Sequence, residues 1–335
     1  MTDAPLKSLL DGPRGRRMCL GLLETSQPLG SLAYYAAQSP AELPALVSAV
    51  AAASGPLDAA SLLDALETAV STARYWQPPD ETDVLLQHPS LIAALEPVAR
   101  LVADAAETAW WSTPLAVDDQ HSVQWTDASS RPLPAPASAV ERLARWKAHT
   151  LADERRASER PADVTALYGG EWWSTPAHAE LITTTRGLPG LGAVKLRLVE
   201  DGFGWTGADV TPLRPLAATR TFEITGPDAW VELAGRYPLE VTLSRRHEWW
   251  QVTGRDGGWV IPDWQAVASD FDAVHLTVAG YLITAGRALP VGEAATMLAG
   301  WGPDETCWLG DMLEPAGTPA HWQRDVSAGG PWSRR

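Results

Sequence analysis

The sequence predicts an α+β protein, with a helical N-terminal half packed on a mixed, mostly antiparallel sheet with short helices in the C-terminal half. Three observations carry this. Ala and Leu recur at helical spacing, behind good start signals, up to about residue 165. Alternating and β-branched runs take over from about residue 180. Short helix–strand links and hairpin signals join those runs, which argues against a doubly wound sheet. The division expected is a mainly helical region over 1–165, an α+β region over 166–315 and a C-terminal tail over 316–335.

Taken in order, Ser39-Pro40-Ala41-Glu42 is a capping box with Pro at the first helical position, and its helix should run to Ala53 and stop at Ser54-Gly55-Pro56. Asp58 can cap the next helix, to about Tyr75. Ser90 starts another, kinked or restarted at Pro97 and continuing to about Trp110. Residues 112–135 read as a long loop. Ser138 and Glu141 form a second capping box, opening a helix that carries Leu143, Trp146 and Leu151. A short helix is expected over 162–168, closed by Gly169-Gly170. Strands are then expected over 193–199, 219–225, 239–243, 249–253 and 258–261, with Arg255-Asp256-Gly257-Gly258 as a hairpin turn. Residues 273–284 read as a longer strand or strand pair, 293–299 as a short helix and 306–309 as a final strand. Pro227-Asp228-Ala229-Trp230 and Pro262-Asp263-Trp264 both look like helix starts, and each is followed by an aromatic residue and a strand, a weak internal echo.

Composition narrows the function classes. The 335 residues are 45% hydrophobic and 20% charged, which permits a sizeable core. A formal charge of −15 argues against nucleic-acid and anionic-membrane binding. The densest basic run, Arg142, Arg145, Lys147, Arg155, Arg156 and Arg160, is interleaved with Glu141, Asp153, Glu154 and Glu159 and reads as a solvated helix face. Two distant cysteines, Cys19 and Cys307, suggest reduced thiols in a cytoplasm. The apolar run over 18–23 is too short and too late for a signal peptide, and no stretch approaches the ~18 apolar residues of a membrane span.

Three constellations could carry chemistry. Tryptophan is used 17 times, against 3 Phe and 6 Tyr, and Trp-Trp-Ser-Thr-Pro is written twice, at 110–114 and 172–176. The repetition predicts one reused geometry. On a structural reading, Thr175-Pro176 caps a helix over 177–181 and the Trp rings pack on its first turn. On a functional reading, Trp110, Trp111, Trp172 and Trp173 line a cleft at the junction of the two halves, able to stack a sugar, base or peptide or to hold a cation.

The second constellation is the run from Asp270 to Thr277. A regular strand there puts His275, Thr277, Ala279 and Tyr281 on one face, with an Asp such as Asp272 to fix the imidazole tautomer. A lone His in a strand is also commonly an ordinary core or surface residue. His275-Leu276-Thr277 resembles the first strand of some ADP-ribosyl-transferring enzymes, where His and Ser/Thr hold the nicotinamide side of NAD; the resemblance covers three residues. The third is the turn from Trp301 to Trp308, which sets Asp304 and Glu305 between two indoles. It reads either as a polar turn or as the carrier of a catalytic carboxylate with a raised pKa. Cys307 has no neighbouring cation, so a nucleophile role lacks support.

Residues 187–192 are Gly-rich but lack the dinucleotide order, and Walker, HExxH, GxSxG and EF-hand patterns are absent. No two of the seven His have helical metal-pair spacing, and no cofactor is indicated. Two function classes follow. One is a binding protein whose Trp-lined cleft takes a small molecule or protein partner. The other is a transferase or hydrolase using His275, Asp272 and Glu305, with Thr277 and Tyr281 contacting the ligand.

Overall fold

Apolar spacing and side-chain caps account for the N-terminal helices of the computed structural model, which describes residues 5–26, 42–53, 57–126, 137–200, 202, 204–325 and 330–335. Helices Pro13–Ser26, Leu43–Ala53, Ala59–Ser71 and Pro89–Asp104 bury Met18, Leu22, Leu62, Leu66, Leu95 and Val102. Asp58 accepts from Ser61 N at 2.8 Å at the start of the third. Ser138 and Glu141 cap each other's backbone at 2.8 and 3.3 Å and open helix Ala139–Arg156. Each such cap is worth ~1 kcal/mol.

The C-terminal half holds two main sheets, so the protein is α+β. The central one is mixed, in the order Thr183–Thr184, Thr306–Trp308, Ala273–Leu276, Thr221–Ile224, with only the last pair parallel. Its register sets His275 beside Thr306 on one side and Glu223 on the other. The outer sheet is antiparallel and centred on Gly207–Pro215, which pairs with Gln120–Trp125, Leu313–Pro315 and Ala320–Gln323. One continuous apolar cluster runs from Leu6 and Met18 through Trp146 to Trp264, Leu282 and Leu309, so helical and sheet halves share a core.

Helix Ala139–Arg156 is where the halves are tied, and its charges are not simply a solvated face. Arg142 pairs with Asp311 at 2.9 Å and Lys147 with Asp263 at 2.5 Å. Glu154 accepts from Leu243 N and Ser244 N at 2.7 and 2.8 Å, which neutralises the amide end of helix Thr242–Thr253 from outside it.

Several elements differ from the sequence expectation, for physical reasons. Residues 249–253 end helix Thr242–Thr253, closed by Gly254 at φ 69°. The hairpin signal at 255–258 is therefore a helix exit, and strand Val260–Pro262 pairs back to Pro238–Glu240. Residues 273–284 split at Thr277: its hydroxyl accepts from Gly280 N at 2.9 Å and starts helix Val278–Thr284, so His275, Thr277, Ala279 and Tyr281 share no strand face. Residues 294–296 form a strand against Leu289–Val291, not a helix. Residues 193–199 are mostly a 3-10 turn, Val194–Leu196, and 162–168 are turns. The expected loop over 112–135 contains strand Gln120–Trp125, and the helix expected to reach Trp110 ends at Asp104, followed by the 3-10 segment Ala106–Ser112. Ser39, Pro40 and Ala41 of the first capping box, and its stop signal at 54–56, lie outside the described residues.

The internal echo corresponds to two helix–strand units, Pro227–Arg236 with Pro238–Glu240 and Trp264–Asp270 with Ala273–Leu276. Their first Trp residues meet, with Trp230 and Trp264 centroids 6.4 Å apart, while their strands join different sheets.

Candidate functional site

The core tryptophans explain how a cleft is held open beside them. Trp249 Nε1 donates to Trp172 O at 2.7 Å and Trp264 Nε1 to Ser174 O at 3.0 Å. Trp301 Nε1 donates to Glu305 O at 3.0 Å. These three indoles thus spend their N–H groups on backbone in or beside the wall of a cavity. Ser174 N and Oγ bond Ala299 O at 3.0 and 3.2 Å, and Thr175 Oγ1 donates to Gly300 O at 3.2 Å. Gly300 sits at φ 77°, and a Cβ there would meet Trp173 Cβ at 2.7 Å, so glycine alone fits this seam.

The resulting cleft has a volume of about 390 Å³, ordinary for a small-ligand site. Its walls are mostly apolar: Trp172, Trp173, Trp205, Trp301, Leu181 and Leu198. Trp172 and Trp173 meet edge to face at 5.6 Å, and Trp205 stacks on Trp125 at 4.6 Å. Three ionisable side chains reach it, Glu200, Lys195 and Glu305. Lys195 Nζ pairs with Glu305 Oε1 and donates to Thr183 Oγ1 at 2.7 Å, while Glu305 Oε2 accepts from Gly302 N at 3.1 Å.

Glu200 is the unusual member. Its Oε2 accepts from Gly300 N and Trp301 N at 2.7 and 3.2 Å, and no cation pairs with it among the described residues. Burial pushes its carboxyl up to about 8, against the amide donors and the Arg14 charge, which favour the carboxylate. Behind it lie the buried hydroxyls of Tyr281 and Tyr75, which interact with it electrostatically. Oε1 and both hydroxyls lack a hydrogen bond of ordinary length. That shift favours the neutral acid at neutral pH.

The sequence-derived site residues separate into groups. Trp172, Trp173 and Glu305 line the cleft, and Tyr281 backs it. Trp110 and Trp111 do not line it: Trp111 is core, and Trp110 lies under the Arg186 guanidinium at 5.2 Å. The two pentapeptides also do not share a geometry. Thr113 Oγ1 donates to Trp110 O at 2.8 Å and accepts from Arg186, whereas Thr175 bonds Gly300 and caps no helix. Their common feature is the turn they brace. The second copy grips Ala299 and Gly300; the first holds Arg186, whose N and Nε reach Asp304 at 2.9 and 2.6 Å.

His275 is 1% exposed and does not line the Trp cleft. Glu223 accepts at 2.6 Å on its Nδ1, and Asp304 lies 3.5 Å from its Nε2. Burial opposes its charge, but the Asp304 and Glu223 carboxylates outweigh that and raise its pKa. Asp272 does not orient it; that carboxylate pairs with Arg220 at 2.7 Å on the surface. Thr277 spends its hydroxyl on the helix cap, accepting from Gly280 N at 2.9 Å. His275 lies against Asp304, at the base of the turn that carries Glu305.

Glu200, Lys195 and Trp205 are the lining residues that sequence reasoning missed. Glu200-Asp201-Gly202 reads as a turn, and nothing local marks the burial that gives Glu200 its character. Cys307 lines the cleft but is a free, buried thiol held far above its usual pKa by burial and by Glu305. Burial pushes Cys19 up to about 12. Neither thiol should react with a disulfide reagent within minutes at pH 8 in the native protein, and both should react in denaturant; rapid native labelling at Cys307 would show that the cleft opens further than this structure does. Among the described residues, no group of three or more His, Cys, Asp and Glu is placed to hold a metal ion, and no helix is long and apolar enough to cross a membrane. In comparisons with protein-family models, curated proteins and solved structures, nothing matches the chain.

Proposed function

We propose that the protein binds an uncharged ring compound, a sugar or a heteroaromatic base, in the cleft between Trp172, Trp173 and Trp301. The observation that carries this is an indole-walled cavity whose charged lining, Lys195 and Glu305, is already paired, with the buried Glu200 carboxyl set in its wall. The indoles supply stacking faces, and the Lys195–Glu305 pair offers a donor and an acceptor with no net charge. Two free, buried thiols fit a reducing, cytoplasmic setting. The acidic balance fits a small-molecule or protein partner better than nucleic acid.

The test is a fluorescence titration and thermal-shift panel of neutral monosaccharides, disaccharides, nucleobases and nucleosides. A ligand that quenches Trp emission should lose at least about tenfold in affinity in Trp172→Ala. Binding should also weaken as pH rises through about 8, where Glu200 ionises. A panel without a hit, or a hit indifferent to Trp172→Ala, overturns the reading.

A further inference from the structure

A second groove, of about 380 Å³, opens where the ends of helices Pro13–Ser26, Ala59–Ser71 and Val278–Thr284 meet. In a chain of net charge −15 it gathers four arginines, Arg14, Arg16, Arg74 and Arg287. Its carboxylates are largely spent. Asp83 pairs with Arg14, and Asp80 and Asp83 take Arg17 at 2.8 and 3.3 Å. Asp11, on the rim, forms no ion pair among the described residues.

What remains, beside the Asp11 carboxylate that attracts Arg16, is an excess of positive charge. Among the described residues, the side chains of Arg16 and Arg74 make no hydrogen bond or ion pair, and that of Arg287 reaches only Ile283 O at 2.7 Å. Arg14 is 3% exposed, and its Nε is buried without a partner, as is that of Arg16. Burial and the Arg287 charge together hold Arg16 below the ordinary guanidinium range. Like charges left facing each other at a partly buried site cost free energy unless an anion joins them. Thr72, Gln77 and Gln87 add neutral polar groups around the same space, and Tyr75 forms a flat inner wall. That ring sits where Gly286, at φ 76°, lacks the Cβ that would meet Tyr75 Cε1 at 2.6 Å.

We infer that this groove is a binding site for a small phosphate-bearing anion, held by Arg16, Arg74 and Arg287 over the buried Arg14. Planar guanidinium forks match phosphate oxygens two at a time, and several converging on one anion is the arrangement that binds phosphate rather than an isolated carboxylate. The groove has room for a phosphate and an attached organic group, with the glutamines placed to contact that group. The site shares no lining residue with the Trp cleft; Tyr75, in the groove wall, packs its ring 6.5 Å from Trp172, in the cleft wall.

The probes are pyrophosphate and inorganic phosphate, with citrate as a polyanion lacking phosphorus, all at constant ionic strength balanced by sodium chloride. Thermal melting and calorimetric titration should show a saturable stabilisation by pyrophosphate, stronger than that by citrate. The double variant Arg16→Gln/Arg287→Gln should bind pyrophosphate at least about tenfold more weakly. Without ligand, that variant should melt at or above the native temperature, because removing facing positive charges relieves repulsion, whereas removing a structural arginine lowers it. Arg74→Gln, a change at an exposed side chain, should weaken binding alone. No saturable shift, an undiminished shift in the double variant, an equal response to citrate, or a large loss of ligand-free stability in the double variant would overturn the inference. None of these outcomes depends on a ligand for the Trp cleft.

Discussion

Asp304→Ala should destabilise the protein by about 3–5 kcal/mol in urea or thermal unfolding, the range for removing one partner of a buried charge network. Asp304 is 2% exposed and takes both the backbone N and the Nε of Arg186. Its loss leaves a buried guanidinium held only by Thr113, Pro114 O and the Trp110 face. Asp304 also sits at φ 61°, a left-handed conformation that Asn tolerates better than Ala. Asp304→Asn should therefore cost less, about 1–3 kcal/mol, since it keeps the backbone geometry and one acceptor. His275 adds a pH signature. Its pKa is raised in the fold, so its ion pairs contribute fully below about 6.5 and the contribution is lost as pH rises through the folded value. The gap between native and Asp304→Ala should narrow over that rise without closing, because Arg186 stays charged. A loss under about 1 kcal/mol would show that the turn does not depend on this network.

How much of this was readable in advance depended on where the free energy sits. Helices Ala59–Ser71 and Ala139–Arg156 announce themselves because amphipathic spacing and the caps at Asp58, Ser138 and Glu141 agree. Helix Val278–Thr284 does not, because every residue in it is buried and an apolar run has no period to read. Helix Thr242–Thr253 misleads in the opposite way: it buries Arg245, His247 and Glu248, so its core face looks polar. In both, tertiary context overrides local preference.

The candidate site shows the same division. Trp172, Trp173 and Glu305 stand out as residue types in a pattern, and the cleft contains them. Glu200 and Lys195 do not, because their meaning comes from partners roughly a hundred positions away, Gly300, Trp301 and Glu305. The sequence pattern pairs His275 with Asp272, its near neighbour along the chain. The parallel register with Thr221–Ile224 instead brings Glu223 alongside it. The twin pentapeptides carry the clearest lesson. Identical residues adopt different hydrogen bonding, yet both secure residues 299–305, one through Ala299 and Gly300 and the other through Arg186 and Asp304.

Glu200 should impose a pH dependence on stability opposite to that of an ordinary paired carboxylate. Its proton is held to about 8 in the fold and is released near 4.5 when the chain unfolds. Between those values the folded state binds more protons than the unfolded state, so stability falls as pH rises, by up to about 1.4 kcal/mol per pH unit from this group. The contribution is complete below pH 4.5 and gone above about 8. Glu200→Gln copies the neutral acid: its carbonyl can accept from Gly300 N and Trp301 N, and its amide can face the Tyr281 hydroxyl. The difference between native and Glu200→Gln cancels the other titrating groups, provided they lie outside this contact network. That difference should move in favour of the variant by about 3–5 kcal/mol between pH 4.5 and 8.5. Glu200→Ala should instead be less stable than Glu200→Gln throughout, since it leaves two amides and a tyrosine cluster unpaired. Parallel stability curves for native and Glu200→Gln would mean that the carboxyl ionises normally, and the loss of binding expected as pH rises through about 8 would have no source.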